Sequence, residues 1–190
     1  MSYRVFTALD LSEQVIAAIQ NYRKNLEQQL PPILRWVKTD QLHITLKFVG
    51  ELQENHLQPI LDEMGRTFSK VNQFPLQLRG TGVFPNLKGP RILWLGINPS
   101  NELLELVKMN ESIFHAFGYI PEKRPFQAHI TVGRFKDLHT RQDLEKFQLL
   151  FDVQKQNFQA QQVIDHLTFY QSILTRQGPI YKILSKVIFH

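Results

Sequence analysis

The chain contains no cysteine, and that absence excludes several classes of protein. Disulfide scaffolds, thiolate zinc sites, thiol nucleophiles and cysteine-bound iron–sulfur clusters all need this residue. The sequence also has no apolar run near the roughly 20 residues that span a bilayer. Its first residues lack the charged-then-apolar pattern of a signal peptide. We therefore expect a cytoplasmic protein.

The composition is that of an ordinary globular protein. Of 190 residues, 43% are hydrophobic and 21% are charged. At this length roughly 70% of the unfolded surface can be buried, so the core needs neither a disulfide nor a metal. The formal net charge of +5 is a modest surplus that favours an anionic partner without identifying one.

Strand-like and helix-like patterns alternate along the chain. We predict helices after a cap at Asp10 or Ser12, around residues 57–68, before a stop at Gly118, and around 143–151. Strands are predicted over residues 5–9, 34–48, 76–84, 92–97 and 126–135, with two more between 158 and 189 that turn at Gly178. No linker or low-complexity segment interrupts residues 1–190. The sequence thus predicts one α+β domain of two similar halves with mostly antiparallel sheets.

A repeated tripeptide is the most informative pattern. His43-Ile44-Thr45 and His129-Ile130-Thr131 each lie in a run that alternates apolar and polar residues. Alternation places the histidine and the threonine of each motif on one face of a strand, with Lys47 on that face in the first motif. A third match, His166-Leu167-Thr168, leaves the choice of pair open on spacing alone.

Two imidazoles beside two hydroxyls suit proton transfer at a phosphate. Histidine exchanges protons near neutral pH, so one can act as acid and the other as base. Threonine hydroxyls and nearby cations can hold phosphate oxygens as charge builds there. The same alternation is also what half-exposed strands without a function require. Two histidines without a third ligand fall short of a typical zinc site, so we expect no metal and no cofactor.

Longer segments around these motifs carry a family resemblance. The chain resembles the bacterial RNA 2′,3′-cyclic phosphodiesterases, also called 2′-5′ RNA ligases, of the two-histidine phosphoesterase superfamily. The resemblance covers nearly the whole chain in the same order. It is carried by Arg35-Trp36-Val37, residues 42–50, Gly82-Val83-Phe84-Pro85, Leu93-Trp94-Leu95-Gly96, residues 124–132 and the stretch from Tyr170 to Ser172.

The resemblance implies a fold, a reaction and a set of roles. The fold would be bilobal, with helices outside and one motif per lobe at a central cleft. The reaction would be hydrolysis of an RNA 2′,3′-cyclic phosphate to a 2′-phosphomonoester, with 2′-5′ ligation as the reverse. His43 would donate a proton to the departing 3′ oxygen, His129 would activate water, and Thr45 and Thr131 would contact the phosphate. The partner would be RNA with a cyclic phosphate end, tRNA fragments among them, and no protein partner is evident.

Two further residues are implied as substrate contacts. Phe48 resembles the family's base-stacking aromatic residue, and Arg134 resembles the cation that follows the second motif. Strict strand alternation places both on the side opposite their histidines. A bulge permitted by Gly133 would turn Arg134 back to the histidine side.

Other interpretations stay open at this point. An enzyme of the same superfamily could act on a cyclic nucleotide or an ADP-ribose derivative. A non-catalytic RNA-binding module could use the same basic and aromatic residues. Asp165 directly precedes His166, and no cation follows Thr168 closely, so we expect the third motif to lie outside the catalytic pair.

Overall fold

The computed structural model describes residues 1–136, 140–176 and 178–190. Within those residues the chain forms nine strands and four α-helices. In chain order these elements are β1 (Ser2–Leu9), α1 (Glu13–Gln29), β2 (Leu34–Trp36), β3 (Ile44–Gln53), α2 (Glu54–Phe68), β4 (Phe74–Phe84), β5 (Ile92–Asn98), α3 (Asn101–Ala116), β6 (His129–Phe135), α4 (Arg141–Gln154), β7 (Gln159–Ile164), β8 (His166–Thr175) and β9 (Gly178–Ile188).

The strands form two antiparallel sheets, one in each lobe. The first sheet has the order β3-β1-β8-β9, and the second has the order β2-β6-β5-β4-β7. His43 directly precedes β3 in the first sheet, and His129 begins β6 in the second. The α+β class, the antiparallel pairing and the placement of one motif per lobe are therefore confirmed.

Helices cover one face of each sheet and build the core there. Helices α2 and α3 pack on the first sheet, and α1 and α4 pack on the second. Aromatic contacts are present at both interfaces. The ring centroids of Phe114 of α3 and Phe169 are 5.8 Å apart, and those of Phe147 of α4 and Phe135 are 4.9 Å apart. The opposite faces are left for the motif side chains. No helix among the described residues is long and apolar enough to cross a membrane.

The ends of two helices follow the residues predicted for them. Ser12 caps α1, because its hydroxyl accepts a hydrogen bond from the backbone N–H of Val15 at 3.3 Å. Asp10, the other candidate cap, does not cap the helix, because its carboxylate binds side chains of β8 and β9 instead. After α3 the chain leaves the helix through Gly118, whose φ of 85° lies in the left-handed region that glycine adopts readily.

Three predicted strand boundaries were wrong. The stretch 34–48 is divided into β2 and β3 by a short 3₁₀ turn at Thr39–Gln41. Residues 126–128 precede β6 rather than belong to it. The C-terminal region holds three strands, because the chain passes from the second sheet to the first at Asp165, between β7 and β8. Strand periodicity carries no signal for such a change of sheet.

Candidate active site

The first motif histidine is held by the turn that precedes its strand. The Nδ1–H of His43 donates to the backbone carbonyl of Gln41 at 2.7 Å. The Gln41 side-chain amide in turn donates to the carbonyl of Pro179 at 2.7 Å, which ties this turn to β9. The imidazole lies 4.9 Å from the ring of Phe6 and 5.4 Å from that of Tyr181. Position and tilt of the ring are thus fixed by the 3₁₀ turn and by two strands, β1 and β9.

The second motif histidine is held in the same way. The Nδ1–H of His129 donates to the backbone carbonyl of Gln127 at 2.7 Å. Its ring meets Phe84 edge-on at 5.1 Å and Trp94 at 6.3 Å. Gly82 makes room for that tryptophan, because a Cβ at this position would lie 2.0 Å from the indole.

The shared hydrogen bond sets the chemistry of both rings. A carbonyl oxygen only accepts, so Nδ1 carries the hydrogen in each histidine, and Nε2 is the nitrogen left available for proton exchange. Burial lowers the pKa of His43, the Gln41 carbonyl and the Asp10 carboxylate oppose that effect, and the charge of His129 adds to it. Strands β3 and β6, which carry the two motifs, contact each other, so each imidazole lies within range of the other's charge.

The motif threonines lie two residues beyond their histidines. Thr45 stands opposite Ala8 on the neighbouring strand, and Thr131 stands opposite Trp94. Both threonines are half-buried. Because alternate residues of a strand share a face, each hydroxyl lies on the same side as its imidazole. Each histidine therefore shares a face with its own threonine, on two strands, β3 and β6, that contact each other.

A β-bulge after each motif moves the next side chains to the other face. In the first sheet Thr7 pairs with Lys47 and Ala8 pairs with Thr45, so Leu46 is the extra residue. In the second sheet Leu93 pairs with Gly133 and Trp94 pairs with Thr131, which makes Val132 the extra residue. An added residue reverses the alternation beyond it.

The bulges bring Phe48 and Arg134 to the histidine side. Phe48 is 70% exposed, and its ring lies 5.7 Å from Phe6, the neighbour of His43. Arg134 is exposed on the face opposite the buried Phe135. The expectation from strict alternation was wrong for both, and the bulge expected at Gly133 is present beside it, with Val132 as the extra residue.

The same bulge turns Lys47 away from the site. The sequence pattern placed it beside His43 and Thr45, but its ammonium group is buried on the helix side. There it pairs with Glu111 of α3 at 2.7 Å and donates to the carbonyl of Ile120 at 3.2 Å. Lys47 therefore anchors α3 and the loop after it, and it is not a phosphate ligand.

Sequence reasoning missed a second cation at the site. Arg35 of β2 stands directly opposite Arg134, and both are exposed. Residues opposite each other in an antiparallel pair share a face, so two guanidinium groups lie side by side. The available signal was Arg35 itself, which belongs to a segment that carries the family resemblance. Tyr181 was missed as well, because its place beside His43 depends on β9 returning to the first sheet.

The third H-x-T motif lies on the first sheet but binds a carboxylate. Nε2 of His166 lies 2.8 Å from Oδ2 of Asp10, and its Nδ1 is hydrogen-bonded to Asp165. Thr168 donates to the same Asp10 oxygen at 3.0 Å. Both ring nitrogens of His166 are occupied, so this histidine lacks the open Nε2 of the other two. In the described parts of the chain no three His, Asp or Glu side chains form a metal-ligand group.

The family model for LigT-like phosphoesterases matches this chain twice, over residues 9–94 and 95–181. The chain belongs to the LigT-like phosphoesterase family. Among its relatives is an RNA 2′,3′-cyclic phosphodiesterase of Aeropyrum pernix, 34% identical over 81% of this chain and 85% of the relative. Another of that description, from Methanothermobacter thermautotrophicus, is 32% identical over 95% of this chain and 96% of the relative.

Solved structures show the same fold over the whole length. Escherichia coli LigT in complex with 3′-AMP has a TM-score of 0.78 at 26% identity, with 100% of this chain and 99% of LigT covered. A Thermus thermophilus protein reaches a TM-score of 0.80 at 26% identity, with 97% of each chain covered. The resemblance identified from the motifs is therefore confirmed.

Proposed function

We propose that this LigT-like phosphoesterase hydrolyses the 2′,3′-cyclic phosphodiester at the end of an RNA to a 2′-phosphomonoester. The observation that carries the proposal is the matched pair of histidines. Each donates Nδ1–H to the carbonyl two residues before it, and each keeps Nε2 for proton transfer. Relatives described as RNA 2′,3′-cyclic phosphodiesterases support the choice of substrate.

The reaction divides between the two imidazoles. A water oxygen bonds to phosphorus while its proton passes to Nε2 of His129. The bond between phosphorus and O3′ breaks, and its electron pair stays on O3′, which takes the proton from Nε2 of His43. Thr45 and Thr131 hold the non-bridging oxygens, where negative charge grows as water adds.

The remaining groups bind the nucleotide and its chain. The exposed ring of Phe48 offers a face on which a base stacks. Arg134, with Arg35 beside it, supplies positive charge for phosphate oxygens. If the 5′-hydroxyl of a second RNA replaced water, its oxygen would bond to phosphorus while O3′ leaves with the proton from His43, which forms a 2′-5′ linkage by the same steps. A cytoplasmic location and tRNA fragments as substrates stay predictions.

Incubation with a short RNA that ends in a 2′,3′-cyclic phosphate tests the function. We expect a product heavier by one water, from which a phosphatase releases phosphate. Bound but unchanged RNA would indicate a binding module instead. Faster turnover of a cyclic nucleotide, or of an ADP-ribose derivative that carries a cyclic phosphate, than of the RNA would indicate a different substrate class.

A further inference from the structure

In the first sheet Asp10 lies across from His43 on one side and from His166 on the other. The last pair of β1 with β3 is Leu9 with Ile44, so the register places Asp10 opposite His43 just beyond the ladder. Ala8 pairs with Thr168 of β8, which places Asp10 opposite His166 on its other side. Opposite side chains in an antiparallel pair have Cβ atoms roughly 5 Å apart.

Four side chains hold the Asp10 carboxylate in place. Oδ2 lies 2.8 Å from Nε2 of His166, and it accepts hydrogen bonds from Thr168 and from the ammonium group of Lys186, both at 3.0 Å. Oδ1 accepts a hydrogen bond from the hydroxyl of Tyr170 at 2.6 Å. Burial opposes ionisation, yet these hydrogen bonds hold the pKa of Asp10 well below its ordinary value. The residue is therefore an anion at neutral pH.

Among the described residues of the second sheet, a glycine rather than a carboxylate faces the histidine. Gly96 stands opposite His129 in the pair of β5 with β6. A Cβ at Gly96 would lie 2.5 Å from the carbonyl oxygen of Arg79, so the backbone leaves no room for a side chain there. Two histidines held alike through Nδ1 thus differ in the residue that faces them.

An anion beside an imidazole favours the imidazolium form. Burial lowers the pKa of His43, the hydrogen bond to the Gln41 carbonyl opposes that effect, and the nearby charge of Asp10 opposes it further. The ring of Tyr181 also contacts His43, and Tyr170 packs against Phe6 and Tyr181. Burial raises the pKa of both phenols, so they stay neutral. Within the described parts of the chain, the titratable or charged groups near His43 and Asp10 include His129 of β6, His166 of β8 and Lys186 of β9, with Arg4 of β1 and Arg134 of β6 close to Tyr181.

Asp10 also fixes the packing beneath His43. Tyr170, which donates to Asp10, stacks on Phe6 at 5.2 Å with an interplanar angle of 19°. Phe6 contacts the imidazole of His43 at 4.9 Å. The carboxylate therefore acts on His43 through its charge and through two aromatic rings.

We propose that Asp10 is a positioning residue that makes the two histidines unequal, because its carboxylate favours protonated His43 as the proton donor and leaves His129 as the base. The proposal rests on the proposed function and assigns its direction of proton transfer. Asp10 acts through His43 rather than on the reacting atoms.

NMR titration of the imidazole protons in the substrate-free protein tests the charge effect. In Asp10→Asn we expect the proton affinity of His43 to fall roughly 3- to 10-fold, with that of His129 almost unchanged. The matched control is Asp165→Asn, which removes a carboxylate on the far side of His166 and should leave His43 near the parent value. Equal titration of His43 in the parent and in Asp10→Asn would overturn the proposal.

The pH–rate profile tests the role. A donor must be protonated, so a weaker hold on its proton moves the alkaline limb of kcat in Asp10→Asn to lower pH. A shift of the acid limb instead would make His43 the base and overturn the assignment. A parent protein without hydrolase activity would contradict the proposed function, whereas the substrate-free titration judges Asp10 independently.

Lys186→Gln provides a second variant that does not depend on folding of Asp10→Asn. Removal of the ammonium group leaves more of the Asp10 charge uncompensated, so the proton affinity of His43 should rise. Thermal unfolding of each variant verifies that it is folded. A fall in the His43 affinity in folded Lys186→Gln would contradict the proposal.

Discussion

Each motif histidine owes its tautomer to a single backbone carbonyl. Gln41 and Gln127 occupy the position two residues before their histidines, and both carbonyls accept Nδ1–H at 2.7 Å. That contact leaves Nε2 to the substrate and prevents the ring from turning over. The proposed acid and base are therefore the Nε2 atoms of His43 and His129.

Substitution of either motif histidine should abolish most turnover. We expect His43→Ala and His129→Ala each to lower kcat by at least ~10²-fold, the usual cost of losing a general acid or base. The double variant should be little slower than the worse single variant, because the two act as a unit. Steady-state kinetics on an RNA cyclic phosphate measures all three. Losses that multiply, or one variant with parental turnover, would contradict paired catalysis.

The third histidine should be dispensable for turnover. Both ring nitrogens of His166 are engaged by Asp10 and Asp165, so it has no nitrogen left for a substrate. We therefore expect His166→Ala to keep kcat within a few-fold of the parent, as for a residue outside the proton-transfer pair. Loss of hydrolysis in a folded His166→Ala variant, with activity retained in His43→Ala, would show that the pair was chosen wrongly.

The strands place these residues through two equivalent irregularities. Leu46 and Val132 each lie three residues after a motif histidine, and each is the extra residue of a bulge. As a result the residue five positions after each histidine, Phe48 or Arg134, returns to the histidine face. Strand β3 thereby presents an exposed aromatic ring on this face, and β6 presents an exposed cation.

Gly82 should matter for both activity and stability. Its missing side chain lets Trp94 lie across β4 and contact His129. Gly82→Ala would force the indole aside, which should cost about 1–3 kcal/mol of unfolding free energy and lower kcat.

Gly89→Ala is the control for that substitution, because a Cβ at Gly89 meets no atom within 4 Å. Denaturant unfolding and kinetics of the two variants measure the effects. Gly82→Ala with the stability and kcat of Gly89→Ala would show that the indole needs no such space.

Strand alternation in the sequence predicts the positions of some site residues and not of others. Strand alternation predicted the shared face of His43 and Thr45 correctly, because the period of two holds locally. It failed for Lys47 and Phe48, because a bulge depends on the partner strand and leaves no periodic signal. Strand alternation also gave no sign that Asp10 binds His166, because these two residues meet only when β8 pairs with β1.

At the scale of the whole molecule, neither sheet is made from one half of the chain. Strands β1 and β3 come from the N-terminal part, whereas β8 and β9, which complete the first sheet, come from the C-terminal part. The two segments that match the family model are therefore interleaved in space. Asp10 stabilises the pairing of these N-terminal and C-terminal strands. It directly follows β1, and its carboxylate binds side chains of β8 and β9.

That junction should make folding stability depend on pH. The hydrogen bond with Asp10 raises the pKa of His166 above its ordinary 6.5, burial opposes the effect, and Asp165 adds to it. The folded state thus holds the proton more tightly than the unfolded state. The contribution is fully present below about pH 6.5 and is lost as pH rises through the higher folded pKa.

Thermal unfolding between about pH 5.5 and pH 9 measures this contribution. We expect the stability advantage of the parent over His166→Gln to be largest at the acidic end and to shrink toward the alkaline end. Taking the difference between the two proteins cancels the titration of the other histidines. A constant difference across the range would show that this histidine does not link the fold to pH.

The most direct measurement of the central claim is the position of the phosphate in the product. An RNA with a 2′,3′-cyclic phosphate end is incubated with the parent protein in excess chelator, and ³¹P NMR identifies the monoester formed. Proton transfer between His129, water, O3′ and His43 predicts a 2′-phosphomonoester, formed without added metal and absent with the double histidine variant. A 3′-phosphomonoester, a requirement for a divalent ion, or the same product from the double variant would contradict the account.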